Sequence, residues 1–538
     1  MSVTKTLGLY LLEELEAYGI THAFGIPGVH NIELYRGLPH SRIRHVGARH
    51  EQALGFMADG YARAGGRPAV CFTISGPGVT NIATAAAQAY ADSIPMLIIA
   101  SQNRRGEAGS GRGFLHEMPN QCQFAAQVSG FAHSVAGMHE VPEVLARAFA
   151  GMQSRRPRPA YIEIPRDLLA ADAGMLPPPT AAVMQSAGAA PDELIAETVR
   201  RLQSCVRPVI LAGGGAVRAA QSVARLAERL QAPVIMTING RGILPPAHPL
   251  NMSFSPSLEA VRALVAGSDL TLAIGTEMGP TDYDMYALSE FPQPPQLLRI
   301  DIDAEQMVRN ARPELALLGD ARRTVEALLA RLGAAPARAS DAAPAACTTQ
   351  ARTAAAAALT PAMRAQLRFL DQLRDTLPGH LIVGDSTQPV YAGNLGFEAA
   401  APATWFNSAS GFGTLGYALP AANGAALAQP QSPVIALVGD GGLQFTLQEL
   451  ATLRDLNAWV AVMVWNNNGF GEIKTSMIGA GVQPTAVDLV PPDLAQLAAA
   501  YSLAHCRVRD AATLSAALQQ FARRRGPVVV EIDAEAFG

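Results

Sequence analysis

A Gly439-Asp440-Gly441-Gly442 turn stands directly behind the apolar run Val434 to Val438 and just before a helical pattern, Phe445 to Leu450. Glycines at a strand-to-helix turn let the backbone approach a ligand closely, and a helix start offers unpaired N–H groups to an anion. Asp440 brings a carboxylate to the same place. A bare carboxylate repels a phosphate, so the pairing makes sense if a divalent cation bridges the two. Magnesium suits this, taking oxygen ligands from one or two side chains plus substrate phosphates. The next apolar run, Trp459 to Trp465, ends in Asn466-Asn467-Asn468-Gly469, which sets Asn467 27 residues after Asp440. That is the length of one helix and one strand in a crossover unit. Adjacent parallel strands would then bring the Asp440 carboxylate and the Asn467 amide oxygen to one ion, with the Gly469 carbonyl as a third oxygen. Taken singly, each piece is an ordinary turn; it is their joint spacing behind two unbroken strands that points to a metal-bridged diphosphate.

Such turns need sheets to hold them, and the chain is long enough to build several. Its 538 residues are 49% hydrophobic and 16% charged, which excludes a disordered or collagen-like chain. Apolar runs such as Ala69 to Ile74, Met96 to Ala100, Pro208 to Ala212, Leu270 to Ile274, Leu381 to Val383 and Val528 to Ile532 alternate with helical segments throughout. Continuous apolar strands of this kind fit parallel sheets covered by helices on both faces. Two stretches poor in large apolar residues, around Ala170 to Pro191 and Gly333 to Ala358, read as linkers. They predict an α/β protein of three doubly wound parallel-sheet domains, residues 1–172, 190–333 and 360–538, with ligands beyond the carboxyl ends of the strands. The 41 basic and 45 acidic residues leave no excess to neutralise nucleic acid. Five scattered cysteines without a CxxC pair predict reduced thiols in the cytoplasm rather than disulfides or zinc. Met1 to Ile20 reads as an amphipathic helix with Glu13, Glu14 and Glu16, not as a signal peptide. No run of about 18 apolar residues predicts a membrane span.

The Gly-Asp-Gly turn followed by Asn466-Asn467 resembles the signature of thiamine diphosphate enzymes. The whole chain resembles their acetolactate synthase and benzoylformate decarboxylase branch, most strongly at its two ends. That resemblance implies pyrimidine-binding, central and diphosphate-binding domains in this order. It implies that Asp440, Asn467 and the Gly469 carbonyl hold Mg2+, and that backbone near Gly441 and Gly442 and the Thr387-Gln388 segment touch the diphosphate. Phe470 stands where relatives often place a tyrosine on the diphosphate, so that hydroxyl is missing. Leu415, 25 positions before Asp440, matches the large apolar residue that wedges the cofactor's two rings into a V, and the Gly413 carbonyl would accept from the aminopyrimidine. Glu51, followed by a small-residue helix ending in Asp59 to Arg63, matches the glutamate that stabilises the imino tautomer of that ring, whose nitrogen then removes the thiazolium C2 proton. Partial burial would raise the pKa of such a carboxylate and suit proton sharing. By itself a glutamate at a helix start is explained by the macrodipole; the Asp440 and Asn467 turns tip the reading towards catalysis. In relatives the glutamate and the metal site come from different subunits, which implies a homodimer or homotetramer with sites at the dimer interface.

Four segments are expected to face the substrate. They are the loop Gly25 to His30 (with Val29 and His30), the loop Ser75 to Gly78, the segment Phe114-Leu115-His116-Glu117, and Phe470-Gly471-Glu472-Ile473. The chain lacks the paired histidines of pyruvate and phenylpyruvate decarboxylases. Relatives acting on apolar acids carry small or aliphatic side chains where Glu472 stands. A carboxylate beside a buried pocket is costly unless a cation meets it, so Glu472, with Glu117, would receive a cationic substrate end such as a guanidinium, unless Glu472 turns to solvent or pairs with Lys474. The phrases Gly25 to His30 and Leu115 to Gln121 also look similar to 2-ketoarginine (5-guanidino-2-oxopentanoate) decarboxylases. Gly213-Gly214-Gly215 is a weak nucleotide signal, and Gly275 to Pro280 replaces the arginine-rich run of synthases, which speaks against FAD. The expectation is non-oxidative decarboxylation of a 2-oxo acid by thiamine diphosphate and Mg2+. An acetolactate synthase-like carboligase is the alternative, followed by a non-catalytic cofactor-binding paralogue.

Overall fold

The computed structural model describes residues 5–182, 187–283, 293–333 and 343–537. Three parallel six-stranded sheets follow one another along the chain. The first runs Arg44–Val46, His22–Gly25, Ala69–Thr73, Met96–Gln102, Ala160–Pro165, Phe131–Ser134 across its width. The third runs Trp405–Asn407, Leu381–Gly384, Val434–Gly439, Val460–Asn466, Val528–Asp533, Ala504–Val508. Counted within each unit, both have the strand order 2-1-3-4-6-5, so one topology is used twice. The middle sheet differs: with Pro208–Ala212 beside Leu270–Ile274 at its centre, it follows the dinucleotide-fold order 3-2-1-4-5-6.

Central strands are buried along nearly their whole length, as Ala69–Thr73, Met96–Gln102 and Val434–Gly439 show, which accounts for their unbroken apolar sequence. In an open sheet the ligand crevice lies where the chain reverses direction across the sheet. In the first sheet that point lies between His22–Gly25 and Ala69–Thr73, so its crevice is lined by the segments after Gly25 and Thr73. In the third it lies between Leu381–Gly384 and Val434–Gly439, so Asp385 to Gln388 and Asp440 to Gly442 line it.

The first and third units meet within one chain through helices Glu51–Gly65 and Ala418–Ala428. A Cβ at Gly60 would lie 2.0 Å from the Ala421 carbonyl oxygen, and one at Gly424 would lie 1.9 Å from that of Met57. Only glycine allows these backbones so close.

The alanine-rich stretch departs from its expected role as a linker. Ala343–Ala358 is a helix, with Ala355 fully buried and packed against the middle unit's core of Val209, Leu211, Met252 and Val261. Alanine loses no side-chain entropy in a helix, so a segment without large apolar groups still forms one and packs closely. Residues 183–186 and 334–342 of the two expected linkers lie outside the described residues. Among the described residues no helix is long and apolar enough to cross a membrane.

Candidate active site

Asp440 opens a short helical turn, Asp440–Leu443, directly at the end of its strand. It is 2% exposed, and burial pushes its carboxyl up from the ordinary value. Oδ1 accepts the Asn467 backbone N–H at 3.4 Å, whereas Oδ2 is buried with no hydrogen-bond partner. The Asn467 side-chain atom that points this way lies 3.1 Å from Asp440 Oδ1 and 2.8 Å from the Gly469 carbonyl oxygen. With the amide oxygen in that place, three oxygens face one another with no proton between them. Adjacent ligands of an octahedral magnesium ion, each at about 2.0–2.1 Å, stand about 2.9 Å apart, so the spacing fits such an ion. The orphaned Oδ2 adds a further donor. These residues therefore fit a hard divalent cation.

Gln388 is the second residue of the segment facing Asp440 across the crevice, and its Oε1 accepts from Asn467 Nδ2 at 3.2 Å. Thr387 is buried, with its hydroxyl lying against Gly439. The Phe470 ring packs over Gly441, and its backbone N–H donates to Val487 at 2.9 Å. Gly442 flanks Asp385, a residue that sequence reasoning missed although it directly follows a strand. Fully buried, Asp385 accepts from Ser386 N at 2.8 Å and Ala418 N at 3.3 Å. Burial pushes its carboxyl up to about 6. It ties the crevice to the start of helix Ala418–Ala428.

Between Asn407 and that helix runs the segment carrying Gly413, at φ +77°, and Leu415, half-buried outside the helix rather than in a core. This segment hangs from the first unit. Gln88, fully buried, accepts from Thr414 N at 3.3 Å and Thr414 Oγ1 at 3.1 Å, and donates to Ser410 O at 3.3 Å and to Asp92 Oδ2 at 2.7 Å. Arg63 bridges Asp59 at 2.6 Å and Asp92 at 2.7 Å and donates to Asn239 of the middle unit at 3.0 Å, while the Tyr417 hydroxyl donates to Asp59. Gln88 and its partners Ser410 and Thr414, like Asp59 and Tyr417, lie more than 300 residues apart in sequence, so no local pattern announces these pairs.

In the first unit, Glu51 begins helix Glu51–Gly65, half-buried, behind a His50 cap. Its Oε2 accepts from Asn81 Nδ2 at 2.9 Å. Two residues earlier, Arg49 is tied to its own chain's third unit through Glu449 at 3.0 Å, Thr452 at 3.1 Å and a salt bridge to Asp455.

The chain has no two histidines adjacent in sequence, yet two meet in space. His30, after the first strand, and His116, after the fourth, meet edge-on with ring centroids 5.0 Å apart. They are 86 residues apart, so adjacency in sequence could not show them. His30 Nδ1 lies 2.7 Å from Ser75 Oγ, and burial, then Arg166, then His116 hold its pKa below the ordinary value. His116 sits at φ +60° with Nδ1 buried and without a partner. A Cβ at Gly76 would lie 2.7 Å from the His116 carbonyl oxygen, so glycine is what lets the two loops close. Glu117 accepts from Ser110 Oγ, Gly111 N, Gly113 N and Phe114 N at 2.6–3.0 Å. Its carboxylate is thus saturated by its own loop, which it shapes, in place of the free charge expected there.

Glu472 lies in helix Gly471–Gly479, which has no buried residue. Lys474 is engaged by Asp488 at 2.7 Å. Val29, Leu115, Phe412 and Ile473 are each more than half exposed around these crevices.

Comparison with known proteins identifies the three units. The descriptions "Thiamine pyrophosphate enzyme, N-terminal TPP binding domain", "central domain" and "C-terminal TPP binding domain" match residues 5–124, 195–328 and 385–532. The chain belongs to the thiamine pyrophosphate enzyme family. As a member it is an enzyme that uses thiamine diphosphate, and its three parallel sheets are those of the family's three domains. This thiamine pyrophosphate enzyme is 43% identical over 532 residues to the probable 2-ketoarginine decarboxylase AruI of Pseudomonas aeruginosa, covering 98% of this chain and 94% of that one. It is 30% identical over 540 residues to the acetolactate synthase isozyme 1 large subunit of Escherichia coli, covering 98% and 94%. To the probable acetolactate synthase large subunit of Methanocaldococcus jannaschii it is 28% identical over 547 residues, covering 97% and 90%.

Proposed function

We propose that this enzyme decarboxylates a 2-oxo acid with a guanidinium tail, 5-guanidino-2-oxopentanoate being the type, with thiamine diphosphate and Mg2+ held between two copies of the chain. The observation that carries the substrate assignment is Glu472. It is an exposed carboxylate three residues past Gly469, with no cation assigned to it among the described residues, on a helix that one chain leaves uncovered. The 43% identity to a probable 2-ketoarginine decarboxylase supports the same choice. A planar guanidinium matches a carboxylate through two parallel hydrogen bonds.

When bound, thiamine diphosphate supplies the nucleophilic carbon and the electron sink that loss of carbon dioxide requires. Asp440, Asn467 and the Gly469 carbonyl would hold the metal at the diphosphate, Thr387, Gln388, Gly441, Gly442 and Phe470 would line that end, and Leu415 and Gly413 would set the rings. Glu51 would hold or release a proton at Oε1, the oxygen that Asn81 leaves aside. His30 and His116 face the reacting end and move a proton there, with Ser75 fixing the His30 ring. Exposed Val29, Leu115, Phe412 and Ile473 support a second copy as cover, with Glu51 of one chain serving the metal site of the other.

Carbon dioxide release across a panel of 2-oxo acids tests the reading. Preference for 5-guanidino-2-oxopentanoate over pyruvate, lost in Glu472→Gln, is expected. Equal use of both acids with an unchanged Glu472→Gln profile would refute the substrate assignment, and a ligated acid as main product from pyruvate would establish carboligation instead.

A further inference from the structure

Asn467 has an amide whose two ends differ in chemistry, and the metal site needs one of them. With oxygen inward, the amide completes the oxygen triangle with Asp440 and Gly469. With NH2 inward, it donates to Asp440 Oδ1 at 3.1 Å and to the Gly469 carbonyl at 2.8 Å. That second setting is self-satisfied and presents protons where a cation would sit.

What selects between them lies on the other side of the amide. Trp465 and Asn467 are two residues apart at the strand's end, so their side chains leave on the same face. The indole N–H of Trp465 points at Gln388 Oε1 at 3.1 Å, and Asn467 Nδ2 lies 3.2 Å from that same oxygen. An indole N–H is a donor only. Gln388 must therefore show it an oxygen, and an oxygen at that place accepts from NH2 on Asn467, not from another oxygen. Turning Asn467 over would require Gln388 to turn too, which sets its NH2 against the indole N–H. Trp465 cannot move aside. It is 1% exposed, lies edge-on to Phe369 at 5.5 Å, contacts Phe537, and is held in the ladder between Gly439 and Ile532.

We infer that Trp465 and Gln388 are positioning residues that lock the Asn467 amide with its oxygen towards the metal. The chain runs from donor-only indole to glutamine oxygen to asparagine NH2, and each link fixes the next. It leaves Gln388 Nε2 free for the diphosphate end, so one glutamine serves both. The inference rests on the metal site proposed above.

Magnesium titrated by calorimetry into metal-stripped protein, at a fixed excess of thiamine diphosphate, tests it. Trp465→Phe keeps an aromatic ring and removes the donor; Gln388→Leu removes the acceptor. Each is expected to weaken magnesium binding about tenfold or more. On an Asn467→Asp background both ends of the side chain are oxygen, so orientation no longer matters and Trp465→Phe should change the affinity less than about twofold. Unchanged affinity in Trp465→Phe and Gln388→Leu, or the same loss on the Asn467→Asp background, would overturn the inference. Should Trp465→Phe fail to fold by circular dichroism, Gln388→Leu alone and on that background decides, titrated with magnesium in the absence of thiamine diphosphate so that the Nε2 contact to the diphosphate does not enter. Failure of the unsubstituted protein to bind magnesium would instead sink the metal site itself.

Discussion

Replacing Gln88 with leucine removes the cross-domain support of the segment that carries Gly413 and Leu415. Leucine keeps most of the volume of a fully buried side chain, so the main loss is polar. Four hydrogen bonds go: two from Thr414, one to the Ser410 carbonyl and one to Asp92. The Thr414 N–H and Ser410 carbonyl are backbone groups, and each buried group left unpaired costs about 1–3 kcal/mol. Two such groups give about 3 kcal/mol as a working value. If the segment relaxes towards solvent in the cofactor-free protein, that cost is recovered there and reappears when thiamine diphosphate must reorder it. The dissociation constant should then rise about 100-fold, at about 1.4 kcal/mol per decade. Calorimetric titration of thiamine diphosphate reads this directly, and thermal unfolding shows whether the remainder of the fold is intact. Ser410→Ala serves as a mild control, because the Ser410 hydroxyl makes only a long 3.4 Å bond to Asp92. A folded Gln88→Leu protein that binds thiamine diphosphate within about twofold of the unsubstituted affinity would refute the reasoning.

Glu51→Gln should lower turnover by about 10²–10⁴ while leaving cofactor affinity nearly unchanged, as steady-state rates and calorimetry would show. Mixing inactive Glu51→Gln and Asp440→Ala chains should restore about one quarter of normal activity, since half the random dimers are mixed and each has one intact site; no recovery after exchange of chains would speak against a shared site. Asp385, raised in the fold to about 6 from 3.8, favours its protonated form there. Its contribution to stability is therefore full below pH 3.8 and is lost as pH rises towards 6. The stability of the unsubstituted protein relative to Asp385→Asn should fall by at most about 3 kcal/mol over that range, measured by denaturant unfolding at several pH values.

Where residues brought together in space are joined by one crossover, their proximity is legible in the primary structure. Asp440 and Asn467 follow consecutive, unbroken apolar strands, and parallel pairing of those strands leaves little freedom in where their ends fall. Glu51 opens its helix for the same local reasons that make a capped start visible. His30 and His116 were each singled out, but only a sheet that sets the first, third and fourth strands side by side makes them a pair. Gln88 and Asp92 sit late in one helix with no local pattern around them, and the third-unit partner they share, Ser410, lies more than 300 residues away. The helix Ala343–Ala358 is hidden because composition reports the lack of bulky groups, whereas propensity and close packing decide what such a segment does.

The shared 2-1-3-4-6-5 order of the two outer sheets has a further consequence. It gives the polypeptide two copies of one blueprint, each opening a cleft at the equivalent reversal of the winding. One copy furnishes its cleft with carboxylate and amide oxygens, the other with imidazoles, a hydroxyl and a glutamate. The same winding thus presents two differently furnished clefts, and a substitution in either has a structural counterpart in the other against which to be read.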